Sequence, residues 1–245
     1  MTYAPVNGLQ LYYEVHGSGR PIVLLHGGLL TIDLNFGPLL APLAASRQVI
    51  AVELQGHGHT ADSDREMTIE KLAGDVVALL DQLGVGKADF LGFSLGGLVA
   101  YAIAFSAPAR VGKLIVASAD AHRPPGRESA PVGEDLLPTS ADFEEMRGAY
   151  IAVAPDPAHF EEFAAKNAKA VHECPARSAD EMRSLRVPTL LIFGDHDFSP
   201  LPDVLETFEL LPNAQLAVLP GATHMSVARR SPEMLGLITP FLAIR

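Results

Sequence analysis

Hydrophobic residues along the chain fall into short continuous runs that alternate with longer stretches at helical spacing. Tyr3–Val6 and Leu9–Val15 flank Asn7-Gly8. Asn-Gly between apolar runs predicts a hairpin, because both turn positions need positive φ. Pro21–His26, Gln48–Leu54, Ala88–Phe93 and Lys113–Ser118 are short apolar runs that read as buried strands. Among them, Ile69, Leu72, Ala73, Val76, Leu79, Leu80 and Leu83 recur at helical spacing, with Gly84 as the stop. Leu95–Ala107 reads as an apolar helix that opens with glycines and ends before Pro108. Strands alternating with helices predict parallel βαβ units in a layered α/β fold, a mostly parallel sheet with helices on both faces. In such folds ligands gather at the carboxyl ends of the strands.

Between about Ala121 and Arg186 the strand signal disappears. The stretch opens on Arg123-Pro124-Pro125-Gly126, a loop signature. Phe143, Met146, Tyr150 and Val153 share one face of a first amphipathic helix. Asp156-Pro157 is an N-cap followed by proline at the first helical position of a second, which presents Phe160, Phe163, Ala164, Ala168 and Val171. Ser178 and Glu181 have capping-box spacing for a short third helix. The expectation is an α/β core at 1–121 and 187–245 with a short helical cap inserted at 122–186. Phe143, Met146, Tyr150, Phe160 and Phe163 are its candidate substrate-binding residues, although the same stripe can simply pack on the core. The sheet resumes at Pro188–Gly194 and Ala214–Leu219, and a closing helix begins near Pro232 behind Ser231. Internal repeats and low-complexity tracts are not seen.

Composition narrows the class. The chain has 245 residues, enough for one large α/β domain with a sizeable core. Hydrophobic residues make up 48% and charged residues 19%, which excludes a disordered protein. Lys+Arg is 18 against Asp+Glu 29, a net charge of -11 with no basic cluster, so no nucleic-acid partner is expected. No apolar stretch approaches the ~20 residues needed to span a bilayer, so no membrane partner is expected either. Met1–Glu14 shows no basic start followed by an apolar run, and the single cysteine, Cys174, allows no intrachain disulfide. A cytoplasmic setting is expected, and a homodimer is left open.

The chemistry concentrates at three places. Gly92-Phe93-Ser94-Leu95-Gly96 lies between a strand and a helix, the context that gives a G-x-S-x-G pattern its meaning as a nucleophile elbow. The serine occupies a sharp, strained turn, and the residues two before and two after it must be small. His26-Gly27-Gly28 follows the first core strand. The expected oxyanion hole is the N–H of Gly28 with the N–H of Leu95. His26 itself reads as a structural turn residue. Serine needs a base, and the expected chain order is serine, acid, histidine. Gly194-Asp195-His196-Asp197 ends one late strand in acidic residues, and His224 follows another. His224 would take the serine proton, and an aspartate would fix its tautomer.

Together HGG, QGHG, GFSLGG, GDHD and PGATH resemble the α/β-hydrolases, in the branch of 3-oxoadipate enol-lactonase-like and small carboxylesterase-like proteins. The resemblance runs over residues 1–121 and 187–245 and implies a cap at 122–186. It points to Asp197 rather than Asp195 as the acid, giving the triad Ser94, Asp197 and His224. It also implies a turn without metal at His57 and His59, and no cofactor. Ser94 stands where the dehalogenases and epoxide hydrolases of this fold carry aspartate. The implied activity is cleavage of a small acyl substrate, an ester or lactone, through an acyl-enzyme on Ser94. C–C bond hydrolysis or perhydrolysis on the same triad, and a ligand receptor with little turnover, stay open as alternatives. Arg123, Arg127 and Arg147 read as solvated charges, and Cys174 as inert.

Overall fold

The computed structural model describes residues 2–122, 133 and 136–243. The hairpin forms as its sequence requires. β1 (Thr2–Val6) pairs antiparallel with β2 (Leu9–His16) across Asn7 and Gly8, whose φ values are 46° and 87°. β3 (Arg20–Leu25), α1 (Ile32–Ala44), β4 (Arg47–Val52), α2 (Ile69–Gln82), β5 (Ala88–Phe93), α3 (Leu95–Ser106) and β6 (Val111–Ala117) then alternate. Among the described residues three α-helices follow before the next strand: α4 (Ser140–Val153), α5 (Phe160–His172) and α6 (Ala179–Ser184). The chain returns through β7 (Thr189–His196), α7 (Leu201–Leu210), β8 (Ala214–Thr223), α8 (His224–Arg229) and α9 (Ser231–Ala243). Among the described residues the sheet is 8-stranded in the order β1-β2-β4-β3-β5-β6-β7-β8. β2 meets β4 antiparallel, and from β4 to β8 every pairing is parallel. This is the α/β-hydrolase architecture.

The continuous apolar runs have a direct cause. Ile22, Leu24, Val49, Ala51, Leu91 and Ile115 face one hydrophobic cluster, with residues of α1 and α9. Val23, Leu25, Ile50, Val52, Phe90 and Leu114 face the other, with residues of α2 and α3. Successive side chains alternate between faces, and helices cover both faces, so both phases of the alternation are mainly apolar. The topology reverses at β3, which lies between β4 and β5. That is the switch point beside which ligands bind in open α/β sheets.

Several elements differ from expectation, among them α8, which was not foreseen, and β8, which runs to Thr223 past Leu219. α1 was not foreseen; Pro38 and Pro42 lie inside it, although Thr31 caps it by accepting the Leu34 N–H (3.2 Å) and Ile32, Phe36, Leu39 and Leu43 form a buried stripe. α7 likewise starts at proline-rich sequence and was not foreseen. β7 extends to His196, past the expected end at Gly194, because His196 still pairs with Thr223 across an irregularity in the ladder.

The helices between β6 and β7 are tied to the rest of the chain by apolar and ionic contacts. Tyr150, Phe160, Phe163 and Ala170 belong to the larger core cluster, and Met146 to the other. Arg229 in α8 pairs with Asp142 (2.7 Å) and Glu145 (2.5 Å) of α4. Lys166 of α5 reaches Asp62 (3.0 Å), on which His159 also converges (3.1 Å). The expected capping box of Ser178 and Glu181 is present at α6. Asp156 caps a short 3-10 turn, Pro157–His159, from which α5 continues. The inward face of α5 is not the expected one: Phe160, Phe163, Asn167 and Ala170 are buried, while Ala168 and Val171 are exposed. The Arg123–Gly126 loop signature and Arg127 lie outside the described residues.

Candidate active site

Ser94 sits between β5 and α3 with φ 51° and ψ −118°, a conformation an L-residue adopts only when its surroundings impose it. The glycines impose it. A Cβ on Gly92 would strike the Gly96 carbonyl, and one on Gly96 would strike the Leu25 carbonyl. A Cβ on Gly97 would come within 2.6 Å of Ala119 Cβ, so this glycine lets α3 lie close against the end of β6. Ser94 N–H donates to the Ala117 carbonyl (2.9 Å), fixing the turn to the neighbouring strand.

The three sequence-predicted triad residues come together at one sheet edge. His224 is the first residue of α8, and Thr223 and Ser226 form a capping box that sets the start of that helix. Ser94 Oγ and His224 Nε2 are 2.9 Å apart, and His224 Nδ1 donates to Asp197 Oδ1 (2.7 Å). The same Asp197 oxygen accepts the Phe198 N–H (2.7 Å), and Oδ2 accepts the Ser118 hydroxyl (2.5 Å). Burial opposes ionisation of Asp197, but the hydrogen bond and charge of His224 and the Ser118 and Phe198 donors outweigh it. They hold the carboxyl below its usual range. Phe198 stacks on the imidazole at 3.9 Å and 11°, and Phe93 lies tilted against it at 5.1 Å. The ring is therefore held by aromatic contacts as well as by hydrogen bonds.

Asp195 occupies a different place. Its Oδ1 accepts the Ala222 N–H (3.0 Å) and meets His196 Nδ1 (2.9 Å). The Gly221 N–H, His196 and the Ala222 N–H pull its carboxyl down to about 2. It joins the end of β7 to the turn before His224, whereas Asp197 meets the His224 imidazole.

Gly28 and Leu95 stand three residues beyond Leu25 and Gly92, which are register partners in β3 and β5. They reach the same sheet edge as Ser94. Leu95 N–H is among the first four of its helix, which have no acceptor within it. The Gly28 turn is fixed by Gly27 N–H donating to Asn35 Oδ1 (2.9 Å) and by Leu29 at φ 62°. A Cβ on Gly27 would come within 2.7 Å of the Phe93 ring, and one on Gly28 within 2.6 Å of Asn167 Nδ2. The glycine pair is thus required by close neighbours on both sides.

His26, His57 and His59 make contacts that hold the turns around the site. His26 is fully buried; its Nε2 accepts the Leu54 N–H (3.1 Å), so Nδ1 carries the proton toward the Gly27 carbonyl (2.9 Å). His57 faces the Gln55 carbonyl through Nδ1 (2.9 Å), whereas His59 meets buried Glu53 (2.8 Å). The two diverge. Among the described residues no group of three or more His, Cys, Asp or Glu could hold a metal, and no helix is long and apolar enough to cross a membrane. Arg147 is exposed near Glu161 (3.8 Å), and Cys174 is partly buried.

The aromatic candidates divide. Tyr150, Phe160 and Phe163 pack on one another, with Tyr150 and Phe163 stacked at 5.3 Å, and Met146 is buried. Phe143 stands apart, 47% exposed. A cavity of about 330 Å³ opens beside them, lined by Asp62, Tyr150, His159 and Lys166 rather than by the triad. Ser118, Phe198 and Asn167 are contacts of the site that sequence reasoning did not single out. Ser118 carries no motif, and Asn167 lies on a helix face expected to be apolar.

Comparison with known proteins places the chain in a family. The chain is 42% identical over 120 residues to the dihydrolipoyllysine-residue acetyltransferase component of the acetoin cleaving system of Pseudomonas putida. That match spans 47% of this chain and only 32% of the relative. It is 29% identical over 258 residues to a non-heme haloperoxidase of Rhodococcus erythropolis, covering 89% of this chain and 90% of that one. Its structure is similar to that of the enol-lactonase from Burkholderia xenovorans LB400, with a TM-score of 0.81, 25% identity, and 99% and 100% of the two chains covered. Residues 22–235 match the alpha/beta hydrolase family, and the chain belongs to it.

Proposed function

We propose that the protein is a serine hydrolase of small esters or lactones, with Ser94 as nucleophile, His224 as base and Asp197 as the acid that orients it. The observation that carries this reading is the unbroken path Ser94 Oγ–His224 Nε2 (2.9 Å) and His224 Nδ1–Asp197 Oδ1 (2.7 Å). Ser94 attacks the acyl carbonyl as His224 removes its proton, and the oxyanion forms against the N–H groups of Gly28 and Leu95. His224 then protonates the departing alkoxide, and water repeats the cycle on the acyl-enzyme. Asp197 stays ionised throughout and stabilises the imidazolium. Likeness to an enol-lactonase over nearly the whole of both chains supports a lactone or enol ester among the substrates. In this reading residues 122–186 form the cap, anchored on the core by Met146, Tyr150, Phe160 and Phe163, with Phe143 left exposed.

The test is direct. A panel of short p-nitrophenyl esters and lactones should be turned over, and a fluorophosphonate should label Ser94. Ser94→Ala should leave the fold intact and lower turnover on the order of 10⁶-fold. Labelling at another serine, or substantial turnover by the variant, overturns the assignment.

A further inference from the structure

On α5 the inward positions Phe160, Phe163, Asn167 and Ala170 are all buried, and three of the four are apolar. Asn167 is 7% exposed, and its carboxamide lies flat against Gly28, with Nδ2 2.6 Å and Oδ1 3.1 Å from where a Gly28 Cβ would stand. Oδ1 is buried and has no hydrogen-bond partner among the described residues. A second buried acceptor lies under the same helix. His57 points Nδ1 at the Gln55 carbonyl, which places the ring proton there and leaves Nε2 as an acceptor, also without a partner among the described residues. Its ring meets Phe163 edge-on at 4.6 Å, one helical turn before Asn167. Buried polar groups are ordinarily paired, and an unpaired one marks a place where something else supplies the partner. Both atoms accept, so the complementary group must donate.

Taking the Ser94 reading as its basis, we propose that Asn167 is a specificity-determining residue. Its carboxamide beside the oxyanion turn accepts a hydrogen bond from an O–H or N–H on the carbon next to the scissile carbonyl. The preferred substrates are then hydroxyacyl or aminoacyl-type esters and lactones rather than plain alkanoyl ones. A site built to hydrogen-bond a substrate hydroxyl rejects the analogue without it far more strongly than an apolar pocket distinguishes one methyl group.

The test compares p-nitrophenyl glycolate with p-nitrophenyl propionate, nearly equal in size, on the wild type and on Asn167→Leu. Intrinsic ester reactivity cancels in the ratio of the two kcat/KM preferences. The wild type should favour the glycolate over the propionate at least tenfold more than the variant does, and the leucine variant should melt no lower than the wild type. A ratio within twofold of one overturns the proposal; so does an equal loss on both esters, which would make the amide a general oxyanion donor. A clearly lower melting temperature for Asn167→Leu, with Asn167→Ala keeping the wild-type preference, also overturns it by giving the amide a structural role. Absence of turnover of both esters by the wild type, with Ser94 unlabelled by a fluorophosphonate, defeats the Ser94 reading and this proposal with it. Turnover with an unchanged preference defeats this proposal alone.

Discussion

Replacing His26 by glutamine should change how stability depends on pH more than it changes the site. His26 is fully buried, and that burial, only partly opposed by backbone hydrogen bonds, lowers its pKa from 6.5 to about 4. An unfolded histidine takes a proton below about 6.5, whereas the folded one waits until about 4. Between these values the unfolded chain holds more protons, so stability falls as the pH falls, and the loss is complete below about 4. A gap of about 2.5 in pKa, at about 1.36 kcal/mol per unit, amounts to about 3 kcal/mol. Asp120 works in the opposite sense. Burial raises its carboxyl to about 6, so the folded state takes up that proton first and gains stability on acidification. The wild-type curve alone therefore mixes both effects, and a comparison at each pH separates them. Glutamine can still accept the Leu54 N–H but does not titrate. Urea unfolding at pH 7, 6, 5 and 4 should show the wild type losing about 3 kcal/mol relative to His26→Gln, nearly all of it below pH 6.5. Parallel curves for the two proteins would refute the assignment of a neutral buried ring.

The two aspartates of the β7 loop should behave oppositely in turnover. Asp197→Asn should lower kcat roughly 10⁴-fold, because an amide favours the wrong imidazole tautomer; Asp195→Asn should keep most of the activity with a modest drop in melting temperature, and the reverse pattern would exchange their roles. Ser118→Gly tolerates the positive φ of 54° at that position but removes the donor to Asp197. It should cost about 2 kcal/mol near neutral pH, the range for a bond to a charged group. Because the Asp197 carboxyl is held low, that difference should shrink as the pH falls through its ionisation, which unfolding at pH 7 and pH 3 would reveal. Phe163→Ala, in the core, should lose about 3–5 kcal/mol, whereas Phe143→Ala, half exposed, should stay within about 0.5 kcal/mol. Equal thermal melts for these two would mean that Phe163 is not packed as described.

The features legible in the sequence were those in which one physical constraint acts at every position. The strands at Ala88–Phe93 and Pro21–His26 were visible because burial on both faces makes them apolar apart from Asp89 and His26. The elbow at Gly92–Gly96 was visible because backbone collisions forbid side chains at its glycines. α1 was obscured because Pro38 and Pro42 break the local signal, while the stripe that stabilises it, Ile32, Phe36, Leu39 and Leu43, acts only through packing. Asn167 was hidden for a related reason. Ala168 and Val171 suggested one helix face, but the helix is rotated so that a polar residue faces inward, and nothing local to α5 records that rotation. Ser118 has meaning only relative to Asp197, which follows β7, and Phe198 only relative to His224, which opens α8.

The position of the triad across the sheet has a consequence for inactivation. Ser94 rises from β5, with a strand on each side, whereas His224 follows β8, which pairs with β7 alone and is exposed or half exposed along most of its length. Edge strands open at lower free energy than the centre of a sheet. On the proposed assignment, the base and the nucleophile therefore sit on parts of the sheet with unequal resistance to local opening. Esterase activity should therefore be lost on heating before the bulk of the fold, judged by its circular dichroism, unfolds.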